Sequence, residues 1–188
     1  MLKKAMLMMA CIAMGVTAMI PMLGAAAPVR TSSAKVAVAP IKVGVYDSRC
    51  IAVAYAASDY HESAMAELKK RHDAALAAND AAVGKAIEAE GQAMQDRMHE
   101  QAFGAAPVDE YLEPVKAELP KIAEKMGVDI IVSKWAIDYQ NNDACFVDVT
   151  DAMVALYDPD MKTLKSVQAA RNHPPMPREK VQTHGRHH

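Results

Sequence analysis

Apolar residues in this chain gather into short strand-like strings near its two ends, with a long helical pattern between them. Residues 41–46 are rich in Val and Ile, alternate weakly, and predict a strand. A second string runs over residues 128–133 and a third over 147–151. Asp47-Ser48 supplies an N-cap, so residues 49–57 are expected as a short apolar helix. The simplest way to bury all three strings is one small sheet built from both ends of the chain, with a helical excursion inserted over about residues 58–126. The predicted class is therefore α+β, with a helical hairpin or a three-helix excursion inserted into the sheet.

The excursion begins at Ser58 or Asp59. Met65, Leu68, Ala75, Leu76, Val83, Ile87, Met94 and Met98 then recur at helical steps. The stripe is thin, because many of its positions are Ala, and Asn79-Asp80, Gly84 and Gly91 weaken it further. Unbroken, this segment would be a rod of roughly 65 Å against a return of roughly 28 Å, so a break near Asn79-Asp80 is expected, the alternative being a long, Ala-rich, poorly covered tip. Residues 103–107 mark a turn. Beyond them Val108, Leu112, Val115, Leu119, Ile122 and Met126 form a heptad-like seam, interrupted by Pro114 and Pro120. Gly127 is placed to end that helix.

After the second string, residues 134–139 alternate and predict a further strand. The polar turn 140–143 would join it to the third string as a β-hairpin. Asp148 or Thr150 would cap a helix through Met153, Val154 and Leu156, within a single domain over 41–170. Residues 171–188, with prolines, histidines and charges, read as a disordered tail.

Residues 1–27 have the form of a secretory signal peptide: Lys3 and Lys4, an uncharged run from Ala5 to Leu23, then small residues ahead of Pro28. Residues 28–40 read as a flexible lead-in. Removing Lys3 and Lys4 takes the formal charge from −2 to −4, a mildly acidic balance that argues against a nucleic-acid or anionic-membrane surface. With no second apolar run long enough to span a bilayer, the mature chain is expected to be free of integral spans and to reside in the periplasm or outside the cell.

Export also bears on Cys50 and Cys145. An oxidising compartment would allow a disulfide closing a loop of about 95 residues, with roughly 4 kcal/mol of chain-entropy stabilisation; the alternative is two buried, unpaired thiols. Asp47 and Arg49 at the end of the first strand, with Asp148 and Asp151, form a candidate polar cluster that would either bind a small ion or serve as helix caps and ion pairs. His61 and His72 share a helix face three turns apart, too far to ligate one metal together. Of the tail histidines, His184, His187 and His188 suggest only loose metal binding. No Ser-His-Asp order, HExxH, CxxC or phosphate-cradling loop occurs in the sequence. The expectation is a protein that is not an enzyme and carries no cofactor.

Taken in order, Lys42-Val43-Gly44-Val45-Tyr46-Asp47, Gly127-Val128-Asp129-Ile130-Ile131-Val132, Ile137-Asp138-Tyr139 and Asp148-Val149-Thr150-Asp151 resemble the corresponding strings of the Skp/OmpH-like periplasmic chaperones. Tyr46 to Arg49, Ile131 to Trp135 and Val147 to Asp151 are also similar to strings in uncharacterised secreted bacterial proteins, a likeness that carries no function with it. The family resemblance implies a homotrimer whose strands form a shared body and whose coiled-coil arms hold unfolded outer-membrane or other envelope proteins. The chain differs from that pattern in its short, asymmetric excursion, its prolines in the return arm, and its acidic balance. A structural or adaptor module of the cell envelope is the alternative, and a small enzyme using Asp47, Arg49 and Asp148 a third.

Overall fold

A computed structural model describes residues 40–184. The expected signal peptide and all but the last residue of the lead-in lie outside the described residues. Three parallel strands form one sheet in the order β2-β1-β3, with β1 at Lys42–Tyr46, β2 at Ile130–Ser133 and β3 at Cys145–Asp148. Five helices are inserted between β1 and β2: α1 (Ser48–Ala56), α2 (Asp59–Ala77), α3 (Ala81–Phe103), α4 (Asp109–Leu112) and α5 (Leu119–Met126). After β3 come α6 (Thr150–Val154), α7 (Met161–Asn172) and α8 (Arg178–His184). The fold is α+β, and its sheet is built from both ends of the domain.

Register sorts the strand residues by face. Gly44, Ile131 and Val147 share one rung, and Ile131 and Val147 pack on the core with Tyr46, Ile51, Val128 and Met153. Val43, Ile130 and Phe146 share the neighbouring rung and so point to the opposite face, where Ile130 is 49% exposed. The core lies on the first face, under α1, α6 and α7.

The outbound helical segment breaks where Asn79-Asp80 led us to expect. Asn79 turns the chain at φ 53°, and the Asp80 carboxylate accepts from Val83 N at 3.1 Å to cap α3. At roughly 28 and 34 Å, α2 and α3 are matched in length and pack on each other as a hairpin. Little is buried between them: Ala75 on α2, and Gly84 and Ile87 on α3. Bidentate contacts from Arg71 to Glu90, at 2.8 Å each, tie the helices at their surface.

The return seam stays on one face but is not one helix. A 3-10 turn over Glu113–Glu118 separates α4 from α5. Pro114 and Pro120 each fall in the first turn of a new element, where a missing N–H is tolerated. Val108, Val115 and Ile122 are buried, while Leu112, Leu119 and Met126 pack against the same core, so the seam serves the body. Gly127 closes α5 at φ 63°, with Val128 N donating to Ala123 O at 2.9 Å, an arrangement that favours glycine.

Two expectations are corrected. Residues 134–139 are not a strand: the Ser133 hydroxyl accepts from Trp135 N and starts a 3-10 turn over Lys134–Ala136. The rest of the connection carries the chain past β1, so β3 joins the far edge in parallel and no hairpin forms. Nor is the segment from 171 a disordered tail. It completes α7 and forms α8, with Val181 buried and Met176 N donating to Phe103 O at 2.8 Å. Residues 185–188 lie outside the described residues.

Candidate functional site

Of the polar residues picked out by sequence, Asp47 and Arg49 meet at the C-terminal end of β1, where the chain turns into α1. Asp47 is the N-cap of α1, and its side chain is 1% exposed while that of Arg49 is 3% exposed. Asp47 Oδ1 accepts from Arg49 N at 3.1 Å, Arg49 Nε at 3.0 Å and Trp135 Nε1 at 3.0 Å. Its Oδ2 accepts from Arg49 Nη2 at 2.7 Å and lies 2.8 Å from Lys134 Nζ. Burial alone would raise this carboxyl, but the hydrogen bonds from Arg49, Lys134 and Trp135 outweigh it and hold the pKa at about 2.

The guanidinium is as fully engaged as the carboxylate. Arg49 Nη1 donates to the carbonyl of His173 at 2.7 Å, reaching past α7. Arg49 and Lys134 lie 5.1 and 4.5 Å from the centre of the Trp135 ring. A carboxylate so strongly hydrogen-bonded and so acidic has little capacity as a base. The arrangement is a clasp joining β1, the turn after β2 and the end of α7.

Asp148 and Asp151 belong to a neighbouring group. Asp148 Oδ1 accepts from Thr150 N at 2.8 Å in the turn before α6, but the N-cap of α6 is Val149 and carries no side-chain cap bond, which corrects the expected cap at Asp148 or Thr150. Arg171 of α7 reaches Asp151 Oδ1 at 3.0 Å and lies 3.7 Å from Asp148 Oδ2. Thr150 links the two groups, since its hydroxyl accepts from Asp47 N at 3.1 Å. The four candidate residues thus supply one helix cap, one side-chain turn bond and several ion pairs across the C-terminal edge of the sheet. Thr150 was named by sequence only as a possible helix cap, and Lys134, Trp135 and Arg171 were missed; they depend on the pairing of β2 with β1 and on α7.

Cys50 and Cys145 are both free, which corrects the disulfide alternative. Parallel pairing puts Cys145 opposite Lys42 at the start of β1, whereas Cys50 lies in α1 beyond its end. The length of β1, about 13 Å, separates the two positions, and a disulfide needs Cα atoms within about 7 Å. Cys50 is buried, with its Sγ 3.7 Å from Val167 O; Cys145 is exposed. Burial pushes the Cys50 thiol up to about 11.

Sequence reasoning also missed a tyrosine cluster that joins α1, α4 and the turn after α6, and to which Tyr60 of α2 adds an edge-on contact with Tyr157 at 6.3 Å. Tyr55 of α1 stacks on Tyr111 of α4 at 4.0 Å, Tyr157 meets Tyr55 edge-on, and Tyr157 Oη donates to Tyr111 O at 2.7 Å. His61 packs near Tyr55, and His72 lies 3.3 Å from Glu88 across the hairpin. Among the described residues no group of three His, Cys, Asp or Glu is placed to hold a metal. No described helix is long and apolar enough to cross a membrane.

Comparison with family models, with curated proteins and with solved structures finds no match.

Proposed function

We propose that the protein is an exported, non-enzymatic holdase of the Skp/OmpH-like kind, which grips unfolded envelope proteins with its helical hairpin and associates through its sheet. The observation that carries this reading is the hairpin itself. So little of α2 and α3 is buried that Met65, Leu76 and Val83 remain 40%, 58% and 46% exposed. A shallow groove of about 260 Å³ runs between the helices past Leu68, Ile87 and Gly91. These apolar positions on a two-helix arm suit transient contact with an extended chain.

The sheet supports association in the same way. Parallel sheets are ordinarily covered on both faces, yet the rung of Val43, Ile130 and Phe146 points away from the core, and β2 and β3 are both edge strands. By resemblance the assembly would be a trimer. Light scattering on the mature protein, combined with an aggregation assay on a urea-denatured outer-membrane β-barrel protein, tests the proposal. The expected result is an oligomer that suppresses aggregation. A monomer without effect on aggregation overturns it.

The arm's charge favours the adaptor reading as the second choice. Residues 59–103 carry nine acidic side chains against five basic ones, unlike the basic arms of the family it resembles. Capture of one folded partner, in place of many unfolded ones, would favour the adaptor.

A further inference from the structure

A cavity of about 470 Å³ opens at the C-terminal edge of the sheet, beside the clasp but outside it. Its floor is the last rung of the β1–β2 pair, where Tyr46 stands next to Ser133. Leu112 and Leu119 from the return seam form one wall, and Met153 of α6 contributes to another. Such a volume, mostly apolar with a few polar groups and set at the carboxyl ends of parallel strands, is typical of small-molecule sites.

Two polar features make it more than a packing defect. Tyr46 lines the cavity and is only 7% exposed, yet its hydroxyl oxygen is not one of the fully buried, unpartnered polar atoms of the described residues. A phenol oxygen that reaches such a space can accept a hydrogen bond from a ligand's donor. Asp109 lines the same space and, among the described residues, is the one carboxylate that does so. Its negative charge adds to burial in pushing the Tyr46 phenol up to about 12. Trp135 borders the cavity as well, but its indole N–H is already committed to Asp47. Arg49 and Lys134 do not line the cavity, and both are held by Asp47.

We propose that this cavity binds a small amine with an apolar alkyl or aryl body, the ammonium paired with Asp109 and hydrogen-bonded to Tyr46 Oη, the body lying among Leu112, Leu119 and Met153. The site is independent of the holdase reading, since it uses neither the hairpin groove nor the outer face of the sheet. An ammonium supplies donors to a carboxylate and to a phenol oxygen at once, and a carboxylate ligand would meet Asp109 as a like charge.

Trp135 is the chain's single tryptophan and provides a built-in reporter. The probe is 2-phenylethylamine, titrated into the full chain and followed by tryptophan emission and by isothermal calorimetry, with 3-phenylpropionate as the carboxylate counterpart. Saturable binding of the amine is expected, with a dissociation constant near or below about 1 mM. Asp109→Asn should weaken it at least about tenfold, as expected for loss of a charge-assisted contact, and Leu112→Phe should weaken it by filling the space. Asp109 is exposed, so its substitution leaves the core intact. No saturable heat or emission change, equal affinity for the carboxylate, or an Asp109→Asn variant that binds like the parent would each overturn the proposal.

Discussion

Trp135 Nε1 donates to Asp47 Oδ1 at 3.0 Å across 88 residues of sequence, fastening the turn after β2 to the end of β1. The bond does more than join two loops. It helps satisfy a carboxylate that is almost wholly buried and also receives Arg49 and Lys134. The C-terminal edge of the sheet is therefore organised around one charge, and removing that charge is the most direct perturbation of the fold.

Asp47→Ala should be severely destabilising. It leaves Arg49 buried without its carboxylate and removes the cap of α1, and such changes typically cost about 3–5 kcal/mol. Asp151→Ala is the matched control, because its side chain is 82% exposed and its pair with Arg171 is of the surface kind, worth under about 1 kcal/mol. Urea midpoints of the two variants measure the contrast. Equal losses would show that the Asp47 clasp does not hold the body together.

The same carboxylate fixes an acid limit. Its pKa lies at about 2 in the fold against a reference of 3.8, so the folded state binds its proton less readily than the unfolded chain. The resulting stabilisation is fully present above pH 3.8 and disappears as pH falls through about 2. Its size is about 2 kcal/mol. Urea unfolding of the parent and of Asp47→Asn, compared between pH 5 and pH 2 (a window set by the linkage relation), should show a gap that narrows on acidification. A gap that stays constant would remove Asp47 from the acid response.

Reducing agents should leave the melting temperature unchanged, because Cys50 and Cys145 are unpaired. In a Cys11→Ser background, a thiol reagent should label Cys145 quickly and Cys50 only after unfolding. Burial both shields Cys50 and pushes its thiol up to about 11, so little thiolate forms near neutrality. Two rapidly labelled thiols would contradict the packing of α1 against α7, and a drop in melting temperature on reduction would revive the disulfide.

Local signals were legible wherever a residue acts on its own neighbours. Asp47 as the cap of α1, the break at Asn79-Asp80 and Gly127 as the end of α5 each follow from what that residue type does to the adjacent backbone. Val108, Val115 and Ile122 of the periodic seam are buried and Leu112, Leu119 and Met126 partly so, because spacing decides which side of a winding segment faces inward. Strand order was less accessible. Residues 134–139 alternate as a strand would, but Ser133 bends the chain and Trp135 is drawn to Asp47, so a tertiary bond overrides the local pattern. The candidate polar residues were identified, but Lys134 reaches Asp47 only through the pairing of β2 with β1, and Thr150 and Arg171 arrive only once β3 crosses to the far side of β1.

Two glycines in α3 and at its end should respond oppositely to alanine. A Cβ built on Gly84 meets nothing within 4 Å, and the residue lies inside α3, so Gly84→Ala should gain about 0.5–1 kcal/mol from helix propensity. A Cβ on Gly104 would lie 2.5 Å from the carbonyl oxygen of Glu100, which belongs to the backbone of α3 and cannot swing away as a side chain would. Gly104 also leads into the loop that places Tyr111 and Val108 on the core, and Gly104 N donates to that same Glu100 oxygen at 3.1 Å. Gly104→Ala must therefore displace the last turn of α3 or the loop, at a cost of about 1–3 kcal/mol. Thermal unfolding of both variants distinguishes the effects: the melting temperature should rise for Gly84→Ala and fall by several degrees for Gly104→Ala. A neutral Gly104→Ala would mean that the end of α3 yields freely and does not set the path of the return seam.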